Sequence, residues 1–66
     1  MFYATLKIDG VIALSQSFPS ETEADIAMNI TFDEWVRQNV LPEDQNLYLK
    51  YGLCLDFVEA RTERSK

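Results

Sequence analysis

Histidine is absent from these 66 residues, and cysteine occurs once, at Cys54. Without histidine the commonest general base is missing, and the usual zinc ligand sets cannot be assembled. A lone thiol makes no intrachain disulfide. With no histidine to activate it, Cys54 reads as a small buried hydrophobe in a strand and not as a nucleophile. Ser15, Ser17 and Ser20 likewise lack a triad-type base. Glycine is confined to Gly10 and Gly52, too few for a glycine-rich phosphate loop. The adjacent carboxylates Asp33-Glu34 and Glu43-Asp44 would point in different directions on a helix, so neither forms an acid/base pair. No acidic stretch has the EF-hand ligand spacing. The expectation is a non-enzymatic protein with no catalytic residue, no cofactor and no metal.

Basic residues are also scarce. Six Lys and Arg face eleven Asp and Glu, for a formal net charge of -5. Affinity for a phosphate backbone comes from Lys and Arg displacing counterions, so direct nucleic-acid binding is not expected. The acidic balance fits solubility, or a protein partner with a basic surface such as a nucleic-acid enzyme. No apolar run approaches the ~20 residues needed to span a bilayer, and Met1 leads directly into strand-like sequence without a signal-like start. These features predict a cytoplasmic protein with no membrane partner. A chain of 66 residues makes one domain that buries only roughly 60% of its unfolded surface. Disulfides and zinc being out, its stability must come from a well-packed core or from self-association, so a homodimer is open.

Among the residues that are present, Phe2, Ala4 and Leu6 alternate with Tyr3, Thr5 and Lys7, the period of a half-buried strand. Asp9-Gly10 is a turn signal between two such runs, so residues 2–17 read as a β-hairpin. A two-residue loop would pair Ile8 with Val11 and Leu6 with Ala13, scattering the apolar residues over both faces. A three-residue loop, Ile8-Asp9-Gly10, pairs Lys7 with Val11, Leu6 with Ile12 and Ala4 with Leu14. That register gathers the apolar residues on one face and is the preferred one. It places Gly10 in the left-handed conformation at a bulge.

Pro19 ends the hairpin. Ser20 and Glu23 have capping-box spacing, which predicts a helix over about 21–29 with Ile26, Ala27 and Ile30 on its inner face. Thr31 and Glu34 repeat the capping-box pattern, and Phe32, Trp35, Val36 and Val40 follow at helical spacing. This second stripe falls roughly opposite the first on a straight helix. Either the helix breaks near Thr31 or one helix is apolar on two sides, and the break is the preferred reading. Pro42 closes the region. Residues 46–51 then read as a strand, with Tyr48 and Lys50 alternating against Leu47, Leu49 and Tyr51. After Gly52, Leu53, Leu55 and Phe57 alternate with Cys54, Asp56 and Val58 as a last strand. The expected architecture is α+β: a hairpin, a helical segment, then two further strands, forming a small sheet with the helix on one face. Residues 1–60 form the single domain and 61–66 a polar, frayed C-terminal tail.

Two stretches resemble the β-grasp, or ubiquitin-like, family. One is the strand pair with Gly10, then Pro19, Ser20 and Thr22 at the helix start and Ile30 later. The other is Leu41-Pro42-Glu43-Asp44-Gln45, a strand through Leu49, then Gly52 and Leu55. Together they cover about half of the chain. The family's conjugating and sulfur-carrying members end in Gly-Gly, whereas this sequence ends Glu63-Arg64-Ser65-Lys66. The resemblance thus implies a docking module without a conjugation tail, using an exposed sheet face around Tyr48 and Lys50. Looser is the likeness of Phe2-Tyr3-Ala4-Thr5 and Glu21-Thr22 to a phage inhibitor of bacterial RNA polymerase. It implies a small acidic phage protein that inhibits a host nucleic-acid-processing enzyme.

The candidate functional residues are therefore interface residues. Trp35, Tyr3, Tyr48 and Tyr51 are of the types that anchor protein contacts. Trp35 belongs either to the core or, if it protrudes between Asp33 and Glu34, to an acidic-rimmed binding spot. Tyr3, Thr5 and Lys7 share the outer hairpin face with Val11 and Ala13, a mixed surface suited to a partner or to a second copy. The expected protein-binding residues are Trp35, Asp33, Glu34, Tyr48, Lys50 and Tyr3.

Overall fold

The computed structural model describes residues 1–64. Its elements are β1 (Phe2–Ile8), β2 (Val11–Phe18), α1 (Glu21–Asn39), α2 (Pro42–Tyr51), a single 3-10 turn (Gly52–Cys54) and β3 (Val58–Arg64). The three strands form one sheet in the order β2-β1-β3 with both pairings antiparallel. The α+β class is as expected. The core joins Ala4, Leu6 and Ile8 of β1 to Ala24, Met28, Phe32 and Val36 of α1, with Val58 of β3. Helix α1 thus lies across one sheet face and the other face is open.

The hairpin forms where Asp9-Gly10 predicts it, with a different register. Its loop has two residues, Asp9 (φ 55) and Gly10 (φ 79), both left-handed as a type I′ turn requires. Ile8 pairs with Val11 and Lys7 with Ile12; the register then shifts so that Leu6 pairs with Leu14. Ala13 is the extra residue of a bulge inside β2. The apolar face is therefore collected by a bulge within the strand and not by a longer loop. The tight turn keeps its favoured twist, and the bulge rotates Leu14, Gln16 and Phe18 onto the helix side. Val11 and Ile12, ahead of the bulge, remain exposed. A Cβ added at Gly10 would meet no atom within 4 Å, so Gly10→Ala isolates the backbone cost of the left-handed turn. We expect a loss of about 1–2 kcal/mol in the urea unfolding free energy. An unchanged midpoint would contradict the turn.

Ser20 caps α1 as its spacing predicts: its Oγ accepts from the Glu23 N–H at 3.2 Å and donates to Glu23 Oε2 at 3.2 Å. The expected break near Thr31 is absent, because α1 runs unbroken from Glu21 to Asn39. Thr31 does not act as a second cap. Its Oγ1 donates to the Ala27 carbonyl at 2.8 Å, the back-bond that lets threonine sit inside a helix. The helix is instead apolar on two sides. Ala24, Met28, Phe32 and Val36 are buried, while Ile26 and Ile30, expected on the inner face, are 53% and 54% exposed.

The structure departs furthest from the expected elements after Pro42. Residues 46–51 form no strand; they are the body of α2, with Pro42 in its first turn, Glu43 and Asp44 beside it, and Lys50 in its last. These are favourable helix-end placements. Gln45 ties α2 to α1, its Nε2 donating to the Val40 carbonyl at 3.0 Å and to that of Arg37 at 3.4 Å. This answers carbonyls left open at the end of α1. Gly52 (φ 57) ends α2. The strand expected over 53–58 is a 3-10 turn followed by a loop. Leu53 and Leu55 pack against the core, whereas Cys54 is exposed and not the buried hydrophobe expected. Residues 61–64, expected to fray, pair with β1 from Thr5↔Arg61 to Phe2↔Arg64. The rest of the expected tail, Ser65 and Lys66, lies outside the described residues. The second stretch of the β-grasp resemblance, with its strand through Leu49, is thus helical as far as Tyr51. Among the described residues no helix is long and apolar enough to cross a membrane.

Candidate functional site

Four segments converge at the hairpin tip. The Asp9 N–H donates to the Phe57 carbonyl at 2.9 Å, and the Val58 N–H to that of Leu55 at 3.0 Å. These bonds fix the turn of the hairpin to the loop that enters β3. Phe57 then meets α1 and α2 from between. Its ring lies 6.0 Å from Trp35, tilted by 46°, and 6.0 Å from Tyr48, close to edge-on at 60°. Trp35 also stacks on the buried Phe32, with centroids 6.3 Å apart and planes 17° apart. Such separations and tilts are those favoured by ring quadrupoles. Trp35, Tyr48 and Phe57, all half-buried, wall a notch of about 250 Å³ with Asp9 on its lip.

Of the residues expected at an interface, Trp35 and Tyr48 come together here. The others do not. Asp33 lies about 160° around α1 from Trp35 at helical spacing, and its Oδ1 accepts from Arg37 Nε at 3.3 Å. Glu34 and Lys50 are exposed and do not line the notch. Trp35 is flanked in space by aromatic rings, not by the acidic residues beside it in sequence. Phe57 and Asp9 complete the notch without having been expected there. The sequence places Phe57 only in the expected last strand and Asp9 only in the hairpin turn. The Asp9-Gly10 turn signal places Asp9 at the hairpin tip, but nothing in the sequence joins it to Trp35, Tyr48 or Phe57.

Tyr3 sits on the open sheet face with Thr5 and Lys7, and its hydroxyl hydrogen-bonds the Ser15 hydroxyl. A concavity of about 680 Å³ lies here against β3. It is larger than the notch but its charges cancel. Glu59 pairs across from Lys7, and Arg61 Nη1 is 3.8 Å from Glu63 Oε1. It therefore presents a mixed surface of balanced charge with no convergent chemistry. The aromatic notch combines negative ring faces with a carboxylate, an arrangement that attracts a cation such as an ammonium or a guanidinium. Among the described residues no group of three or more Cys, Asp or Glu could hold a metal ion. Compared with protein-family models, with curated proteins and with solved structures, the chain matches none.

Proposed function

We propose that this chain is a non-enzymatic interaction module that docks on a basic-surfaced protein by seating one of its Arg or Lys side chains in the aromatic notch. The observation that carries this reading is the convergence of Trp35, Tyr48 and Phe57 around a single site lipped by Asp9, on a chain of net charge -5. The net charge draws a basic partner in, and the rings hold the stem and head of one cationic side chain. A partner that itself binds nucleic acid meets the same requirement. An acidic inhibitor of such an enzyme is thus one biological form of this module.

The chain's only tryptophan lines the notch, so its fluorescence reports this site alone. Titration with an arginine-rich peptide is expected to change Trp35 emission saturably. An acidic peptide of equal length is expected to leave it unchanged. Asp9→Asn keeps a residue that tolerates φ near 55, so the turn survives. It should weaken peptide binding about tenfold, the loss of a charged partner worth about 1.4 kcal/mol. Moderate salt should weaken it partly, because ring contacts are screened less than exposed charge pairs. No saturable change with the basic peptide, or equal affinity for Asp9→Asn, would overturn the reading.

A further inference from the structure

The two edges of the sheet differ in kind. The strand β3, Val-Glu-Ala-Arg-Thr-Glu-Arg, carries four charged residues, whereas the opposite edge, β2, carries none over its eight residues. Charged side chains are the usual guard against edge-to-edge pairing, so β3 is protected and β2 is protected only by its bulge. That bulge sits at Ala13, and Pro19, which has no N–H, follows the strand. Between them runs a regular segment of five residues, Leu14-Ser15-Gln16-Ser17-Phe18. Its chemistry reads the same in both directions.

We infer that a second copy of this chain pairs with this segment, β2 against β2, about a twofold axis at Gln16. Antiparallel pairing about that axis sets Leu14 opposite the partner's Phe18, Ser15 opposite Ser17 and Gln16 opposite Gln16. A twofold interface must be self-complementary, and each of these pairs is. Leu14 and Phe18 face the helix side and are half-buried against the core. The second copy's Phe18 and Leu14 complete their burial. Serine hydroxyls and glutamine amides can each donate and accept, so both polar pairs satisfy themselves. No charge is brought opposite a like charge, which would be destabilising in a cross-strand pair. The axis stands perpendicular to the sheet, so two three-stranded sheets join into one continuous sheet. Both α1 helices then lie on the same face, and the two-layer architecture is preserved. Long-range repulsion between two copies of net charge -5 opposes the association, so salt strengthens it. That dependence is the reverse of the one expected at the notch, and neither surface needs the other.

The test is sedimentation of the full chain over a concentration series. The mass is expected to rise from 7.6 kDa toward twice that value, at lower protein concentration when salt is added. Gln16→Lys and Gln16→Glu each place like charges on the axis. Each variant, folded by circular dichroism, should associate at least about tenfold more weakly. An equimolar mixture of the two should recover the dimer, because Lys then faces Glu. Slowed amide exchange at residues 15–17 of the unmodified chain on concentration gives the same answer without a variant. A chain that remains at 7.6 kDa throughout, or association that Gln16→Lys leaves unchanged, would overturn the inference.

Discussion

Phe32→Ala is expected to remove a large part of the chain's folding free energy at 25 °C. The ring is 2% exposed and sits in the third of the four buried turns of α1, beneath Trp35. Truncating a buried phenylalanine costs about 3–5 kcal/mol through lost transfer energy and the cavity left behind. At the usual stability of roughly 0.05–0.15 kcal/mol per residue, a domain of this size holds only about 3–10 kcal/mol in total. The cost is thus a large fraction of the whole. Loss of the far-ultraviolet dichroism, or a urea midpoint moved to very low denaturant, is the expected result. A midpoint within error of the unmodified chain would show that Phe32 is not in the core. Ile30→Glu, on the same helix, makes the contrast. Ile30 is 54% exposed, so its replacement should change stability by no more than about 0.5 kcal/mol.

Thr31→Pro should be nearly as damaging, at about 3 kcal/mol or more. Position 31 is interior to a helix of 19 residues. Proline there removes the N–H bonded to the Ala27 carbonyl and drives its ring against that same carbonyl. It also deletes the hydroxyl that donates to Ala27 at 2.8 Å. A helix broken at Thr31 would accept the substitution readily, since proline suits a first turn. Urea unfolding therefore discriminates the continuous helix from the broken one. Glu21→Pro is the control, because Glu21 follows the Ser20 cap. There proline should cost less than about 1 kcal/mol. Equal tolerance at both positions would contradict a continuous α1.

The notch and the β2 edge make opposite demands on the surface. Cation capture needs an acidic chain, whereas pairing of two acidic chains needs one locally uncharged strand. Both are met because the acidic residues lie elsewhere: among the described residues β2 holds none, and the first turns of α1 and α2 hold Glu21, Glu23, Glu43 and Asp44. Carboxylates at those helix starts are favoured by the positive ends of the backbone dipoles. The β2 edge itself carries no charge.

Signals that act within a few residues were sufficient on their own. Asp9-Gly10 determined a hairpin, Ser20 with Glu23 determined where α1 starts, and alternation in β1 determined which side of it is buried. Each depends on backbone torsions or on neighbours in one strand or one turn. Tertiary contacts decided the rest. Residues 46–51 carry a period of two in Leu47, Leu49 and Tyr51, yet none of α2 is fully buried. With no buried face to select one period, the alternation carried no information about their conformation. Helix-end residues and the Gln45 tie to α1 decided it instead. In α1 two apolar stripes compete, and the sheet covers one of them, so continuity past Thr31 depended on what packs below. The hairpin register depended on a bulge that turns Leu14 and Phe18 toward that same helix. The notch is the extreme case. Asp9, Trp35, Tyr48 and Phe57 come from four separate segments, and no spacing in the chain joins them, because they meet only where the hairpin tip, both helices and the entry to β3 close on one another.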